Sequence, residues 1–186
     1  MSYRNYGSGE IQMIKTYDNA LEPHVAELID MQLRDVSWKY NYDSVKNGVN
    51  KHWHVFCGHN LDDCYDNGYD YLIAIWNFIK KHNPQLEMER VYLNAHTHGI
   101  EPHRHVDDGD YTIIYYPRLD WKQAWGGGTL IEGDYNNGHL EDKFIDYKGN
   151  RLIIFTAGNL HQAQPVSREC YELRTCVVFK TNLKKD

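Results

Sequence analysis

After residue 86 the chain becomes a succession of short β runs, and this limits the architectures open to it. MERVYLNAH (88–96), YTIIYY (111–116), GTLIEG (128–133), KFIDY (143–147), RLIIFT (151–156) and ELRTCVVFK (172–180) alternate with turn signals such as DDGD, WGGG, NNG and KGN. Strands of this length and spacing, without an internal repeat, build a sandwich or a jelly roll. Fifteen Tyr and five Trp suit the same pleated, half-buried surfaces.

Two helices come before the strands. Val25, Leu28 and Ile29 have helical spacing within 22–35, and Leu72, Ile75, Trp76 and Ile79 form one stripe within 69–83, which stops at basic residues and Pro84. Between them, residues 43–70 are polar, rich in Gly and Asn, and weakly periodic, which reads as a lid or binding loop. The expected fold is mostly β with N-terminal helices, a jelly roll buttressed by those helices. One domain over 1–186 accommodates it, with 1–86 as helical support and lid and 87–181 as the β core.

Charge and cysteine usage narrow the setting. With 20 basic against 26 acidic residues the net charge is −6, which argues against a general affinity for nucleic acid. The one basic cluster, KTNLKKD, reads as a solvated tail. Cysteines 57, 64, 170 and 176 form no CxxC pair, and MSYRNYGSGEIQM carries no signal-peptide core. No apolar stretch is long enough to span a membrane. These features predict a reduced, cytoplasmic protein.

HRHVDD (103–108) concentrates metal-ligand chemistry. Along a strand, side chains at i and i+2 share a face, so His103, His105 and Asp107 can all point to one interior. His161, just beyond the RLIIFT strand, supplies a ligand from a distant part of the sequence. Two sets stay open. His105, Asp107 and His161 would make a two-histidine, one-carboxylate facial triad that leaves three positions of an octahedral iron free. Alternatively His103, His105 and His161 bind with an acidic residue, because GIEPHRH and TAGNLH resemble the two cupin motifs. In a chain with eleven histidines, an HxD alone is equally a surface strand.

Arg174 adds weight, because it opens the otherwise apolar strand RTCVVF. A buried arginine needs a carboxylate, which its planar fork matches with two hydrogen bonds. Pointing inward, it implies an anionic ligand; pointing outward, it is an edge-strand residue. A further cluster, His52, His54, Cys57, His59 and Cys64, matches no common zinc finger and reads as part of the polar lid.

Taken in order, HVDDGDYTIIYYPRLDW, WGGGTLIE and GNRLIIFTAGNLHQAQPVSRECYELRTCVVFK resemble the 2-oxoglutarate- and Fe(II)-dependent dioxygenases, most closely their prolyl 4-hydroxylase-like branch. The likeness covers about residues 92–180. It implies a double-stranded β-helix, iron held by His105, Asp107 and His161, and His103 as a neighbour on the substrate side. Arg174 would hold the far carboxylate of 2-oxoglutarate. Tyr116 would bond the same group, and Tyr92 and Asn94 would line the pocket. The implied reaction hydroxylates a C–H bond with O2 and releases succinate and CO2. A prolyl residue of a peptide or protein is the implied substrate, with small molecules open. The carboxylate of Asp107 favours hydroxylation over the halogenation run by relatives that lack it.

Two departures accompany the likeness. Thirteen positions separate His161 from Arg174, with Arg168 nearer but in a turn, and Pro117 stands where Leu is usual. Trp53 and Trp121 are expected at the substrate entrance. A cupin-type metal enzyme or isomerase needs neither Arg174 nor 2-oxoglutarate, and a non-catalytic β-fold binding module needs no metal with cosubstrate.

Overall fold

The computed structural model describes residues 14–45, 48, 50–136 and 139–185. The segment MSYRNYGSGEIQM and part of the NNG turn lie outside them. Ten strands and three α-helices are present among the described residues. In chain order they are β1 (Lys15–Asp18), α1 (Pro23–Arg34), β2 (Lys39–Tyr42), β3 (His52–Gly58), α2 (Leu61–Asp66), α3 (Ile73–His82), β4 (Leu86–His96), β5 (Tyr111–Tyr116), β6 (Thr129–Asn136), β7 (His139–Ile145), β8 (Arg151–Thr156), β9 (His161–Ala163) and β10 (Arg174–Leu183).

A seven-stranded sheet runs β1-β8-β5-β10-β4-β3-β2, and a three-stranded sheet runs β7-β6-β9. Every pairing is antiparallel. An isolated bridge between His105 and His161 extends the small sheet by one further rung. The two sheets form the jelly roll, a double-stranded β-helix, and the helices cover the outer face of the large sheet.

Alternation along the strands explains this layering. Ile113 and Tyr115 of β5, Leu152 and Ile154 of β8, and Val177 and Phe179 of β10 face outward into one core with Ile29 and Leu33 of α1 and Ile75 and Ile79 of α3. Their neighbours Ile114, Tyr116, Ile153, Phe155, Cys176 and Val178 face inward, against Ile131 and Ile145 of the small sheet. Both faces of these strands are buried, so YTIIYY and RLIIFT read as continuous apolar runs.

Three expectations are corrected. The inward stripe of α1 is Ala26, Ile29, Asp30 and Leu33, while Leu28 is exposed. Its phase is set by Asp30, which turns inward to meet the buried Arg118. The 43–70 segment is only partly irregular, for it contains β3 and α2. The alternation of β3 escapes a hydropathy reading because polar His52 and His54 occupy one face and Val55 and Cys57 the other. The N-terminal part is therefore more than helical support, since β1, β2 and β3 extend the large sheet.

The rings of Trp76 on α3 and Phe179 on β10 stack with centroids 5.7 Å apart, which fixes the helical layer to the strand that also carries Arg174. Phe179→Ala is expected to cost about 3–5 kcal/mol of stability, read as a lowered midpoint in urea unfolding.

Candidate metal centre and anion pocket

The site begins with backbone pairing. His105 and His161 exchange both N–H···O=C bonds, each 2.9 Å, so they stand directly opposite and project to one face. Their ring centroids lie 4.5 Å apart. Asp107, two residues on, shares that face, and its N–H donates to the Ala157 carbonyl at 2.9 Å. The turn before His161 is fixed by Asn159, whose side-chain amide donates to the Glu132 carbonyl at 2.9 Å.

Tautomers follow from the hydrogen bonds. His105 Nδ1 lies 2.9 Å from the His103 carbonyl and His161 Nδ1 lies 2.9 Å from the Asn159 carbonyl. A carbonyl only accepts, so each Nδ1 carries the proton and each Nε2 keeps a lone pair for the interior. Asp107 Oδ1 is 3.5 Å from His105 Nε2, and Asp107 Oδ2 is 3.2 Å from His161 Nε2. The three ligand atoms fall within 4.8 Å of one another. Ligands about 2.1 Å from an octahedral ion are separated by about 3 Å when adjacent, so this donor set fits a divalent metal of the iron type. It is the one such cluster among the described residues.

Burial keeps the imidazoles neutral. It lowers the His161 pKa to about 3, with the nearby His105 adding to the shift. Burial lowers His105 as well. Neutral imidazole is the form that ligates. The carboxylate of Asp107 has two further partners: the Thr112 hydroxyl donates to its Oδ2 at 2.6 Å, and the Lys180 ammonium contacts the same oxygen. Burial, with Arg90 second, holds Lys180 well below the ordinary lysine pKa, and contact with a carboxylate works the other way.

From this cluster a pocket of about 330 Å³ runs between the sheets. Alternate residues of β10 line it: Arg174, Cys176, Val178 and Lys180. Tyr92, Asn94 and His96 of β4 line the adjoining wall. Arg174, 1% exposed, opens β10 opposite His96. Its Nε donates to the Gly127 carbonyl at 2.5 Å and its Nη1 to His96 Nδ1 at 3.4 Å. The guanidinium carbon lies 5.6 Å from the ring centroids of Tyr116 and Tyr147. Gly127 has φ +75°, and a Cβ there would come within 3.2 Å of the Arg174 side chain. A glycine is needed for this approach.

No carboxylate pairs with Arg174 among the described residues. The contrast is Arg118, also buried, which meets Asp30 at 3.3 Å, Asp120 at 3.3 Å and Glu172 at 2.8 Å. The fold pairs Arg118 with carboxylates and leaves Arg174 without one among the described residues, a state that costs free energy until an anion meets it.

No protein-family model matches the sequence, and no curated protein matches it. Solved structures do. The chain superimposes with a TM-score of 0.67 on a Trichoplax adhaerens prolyl hydroxylase in complex with a hypoxia-inducible-factor peptide fragment, at 17% identity over 91% of this chain and 83% of that one. It superimposes with a TM-score of 0.68 on a Pseudomonas putida prolyl-4-hydroxylase, at 13% identity over 93% and 94%. A 2OG-Fe(II) oxygenase-family oxidoreductase from Burkholderia pseudomallei gives 0.66 at 12% identity over 91% and 84%. The fold is that of these oxygenases.

The expected site residues divide clearly on the structure. Tyr92 and Asn94 line the pocket. Tyr116 lies behind its wall: the hydroxyl is 2.6 Å from Thr129 Oγ1 and the ring stacks on Tyr147. His103 offers its carbonyl to His105, while its own Nε2 stays outside the ligand cluster, which removes the basis of the cupin set. Trp53 and Trp121 are corrected. Trp53 packs on Tyr40, and Trp121 is buried beside Tyr147 with its indole N–H on the Gly126 carbonyl at 2.9 Å, so neither lines the pocket. Arg168 sits in an exposed turn. The segment His52 to Cys64 gathers no metal cluster, because Cys57 and Cys64 are drawn into the outer core.

Sequence reading missed Lys180, Thr112 and His96. Lys180 and Thr112 occupy inward positions of strands with strong apolar runs, which is the available signal, whereas His96 follows the polar inward positions Arg90 and Asn94 of β4 and leaves none.

Stability should fall in acid. His161 and His52, the latter lowered to about 4 by burial, stay neutral in the folded state while the unfolded chain protonates them near 6.5. Between pH 6.5 and about 4 the unfolded state binds more protons, so acid favours it by roughly 1.4 kcal/mol per pH unit per histidine. Urea midpoints of the metal-free protein at pH 7 and pH 5 check this, and His52→Asn should flatten the dependence.

Proposed function

We propose that this protein is an Fe(II)- and 2-oxoglutarate-dependent oxygenase that hydroxylates a C–H bond and releases succinate and CO2. One observation carries the reading: a fully buried arginine, without a carboxylate partner among the described residues, shares a pocket with a converging His105, Asp107 and His161 cluster. A structural metal site has no use for the arginine, and an isomerase of the cupin type has none either.

His105 Nε2, His161 Nε2 and one oxygen of Asp107 would hold the iron on one face. Iron with 2-oxoglutarate supplies oxidative decarboxylation and activation of O2. The protein's own groups do the rest. Arg174 binds the distal carboxylate through guanidinium N–H donors, held in place by Gly127, His96 and the faces of Tyr116 and Tyr147. Thr112 donates to Asp107 Oδ2 and fixes the orientation of the carboxylate. Tyr92 and Asn94 form the wall, and the apolar Ile114 and Val178 exclude water.

For the substrate we propose a prolyl residue of a peptide or protein, supported by the prolyl hydroxylases among the similar structures. We place the enzyme in the cytoplasm, in keeping with four unpaired, buried cysteines. No described helix is long and apolar enough to cross a membrane.

Anaerobic addition of Fe(II) and 2-oxoglutarate should produce the weak visible charge-transfer band of the chelate. Arg174→Ala and His161→Ala should each weaken or abolish it. A band untouched by Arg174→Ala would remove the arginine from its role, and absence of any band with metal bound would overturn the cosubstrate class. Succinate release should then rise with proline-containing peptides and stay at background with the same peptides carrying alanine for proline.

A further inference from the structure

Lys180 is a charged group of the pocket that the proposed reaction leaves without a task. It stands on the inward face of β10, 1% exposed, with its ammonium on Asp107 Oδ2 and 3.1 Å from Thr112 Oγ1. The Tyr92 ring centroid is 5.9 Å away. Its neighbour in register, Arg90, is already paired with Glu89 and Asp108, so Asp107 is the carboxylate that Lys180 contacts.

We infer that Lys180 is a built-in counter-cation that weakens binding of the metal alone and makes tight metal binding depend on the dianionic cosubstrate. The inference rests on the oxygenase reading. Without metal, the ammonium of Lys180 sits against the Asp107 carboxylate, and Arg174, which has no carboxylate partner among the described residues, leaves one positive charge in excess. A dication alone raises that excess by two in a buried space, within a few ångströms of an ammonium. A dication together with 2-oxoglutarate leaves it unchanged. Charges this close in a poorly solvated pocket interact strongly, so the difference favours joint loading. Lys180 stands at the metal end of the pocket, six residues along the same face of the strand from Arg174.

A different role for Lys180 is to orient Asp107. The two roles give opposite signs. Thr112 still holds Asp107 Oδ2 when Lys180 is replaced, and Lys180→Met keeps the volume of the buried stem. Mn(II) affinity would be measured from the free-ion EPR signal for the natural protein, Lys180→Met and Lys180→Gln, each without and with saturating 2-oxoglutarate. In the natural protein the cosubstrate should tighten Mn(II) at least roughly tenfold. Both variants should bind Mn(II) alone at least roughly tenfold tighter than the natural protein, and their gain from 2-oxoglutarate should shrink to match. Folded variants that bind Mn(II) alone no tighter, or that keep the full gain, overturn the inference and leave the oxygenase reading standing. A gain below tenfold in the natural protein overturns it without any variant. Absence of Mn(II) binding even with 2-oxoglutarate overturns the oxygenase reading, and the inference with it.

Discussion

His105 and His161 are joined by two backbone hydrogen bonds, and in that rung the geometry of the sheet becomes the geometry of the ligands. In an antiparallel pair of this kind, opposed side chains project to the same side, so the two imidazoles meet without any contact between the rings having to be built. Asp107 joins them through the two-residue period of an extended chain, and its own N–H is tied to Ala157 at the end of β8. The ring nitrogens that face away from the site are tied to the carbonyls of His103 and Asn159, two residues earlier in each case. Every ligand is thus oriented by the backbone a step away, and the tautomer of each histidine is chosen by the same local turn. This candidate metal centre depends on pairing between segments 56 residues apart (105 to 161), which is why the helices, far from the site, still matter to it. They cover the outer face of the sheet whose inner face is the pocket.

The pocket is polarised along β10. Arg174, Cys176, Val178 and Lys180 point inward in alternation, placing a cation at each end of one strand with apolar groups between. Burying a guanidinium costs free energy unless it is paired. The molecule offsets part of that cost with the Gly127 carbonyl, the neutral His96 and two aromatic faces, none of which carries a charge. His96 is kept neutral by burial first and by Arg174 itself second. The cation is solvated by dipoles and left with its charge uncancelled, which is the condition an anion receptor needs. At Arg118 three carboxylates surround a guanidinium that is also buried, so its charge is balanced from within the chain.

How much of this is legible in the sequence depends on what signal each residue leaves. The strands β4 to β8 and β10 are marked by apolar runs between strong turns, and the ordered motifs around His105, Asp107, His161 and Arg174 point to the residues that converge. Strand β9 has three residues and no pattern of its own; it is recognisable only as the place where His161 meets β6. Strand β3 alternates His, Trp, His, Val, so its polar half reads as loop. Trp53 and Trp121 fail as entrance residues because a large aromatic side chain signals burial as readily as it signals a binding surface. Trp121 spends its ring on Tyr147 and Trp125 and its N–H on Gly126. Lys180 leaves a signal that was available: a lysine at the fourth inward position of an apolar strand, in register with Arg174. Without a known partner for it, such a lysine reads as a strand end turning to solvent.

The unequal width of the two sheets separates the candidate metal cluster from an open aromatic face. The small sheet, with β9 and the His105 rung, lies over the part of the large sheet that includes β8, β5 and β10, where the ligands and Arg174 are fixed by pairing on both sides. Strands β4, β3 and β2 carry the large sheet further, and there the inner face holds Tyr42 stacked on His54 at 3.9 Å, with Tyr92 5.1 Å from the same imidazole. His54 is fixed by Asn94 at 2.8 Å, so this aromatic shelf is tied directly to the pocket wall. Tyr42 is 42% exposed and also lines the pocket, which makes it the point where the enclosed site passes into the open face of the sheet. Strand β2 is an edge strand with an irregular register against β3 and with Asn41 in a left-handed conformation, so it can be altered without disturbing a ligand. The candidate metal cluster and Arg174 are built on strands held from two sides, and the aromatic shelf is built on strands at the free edge.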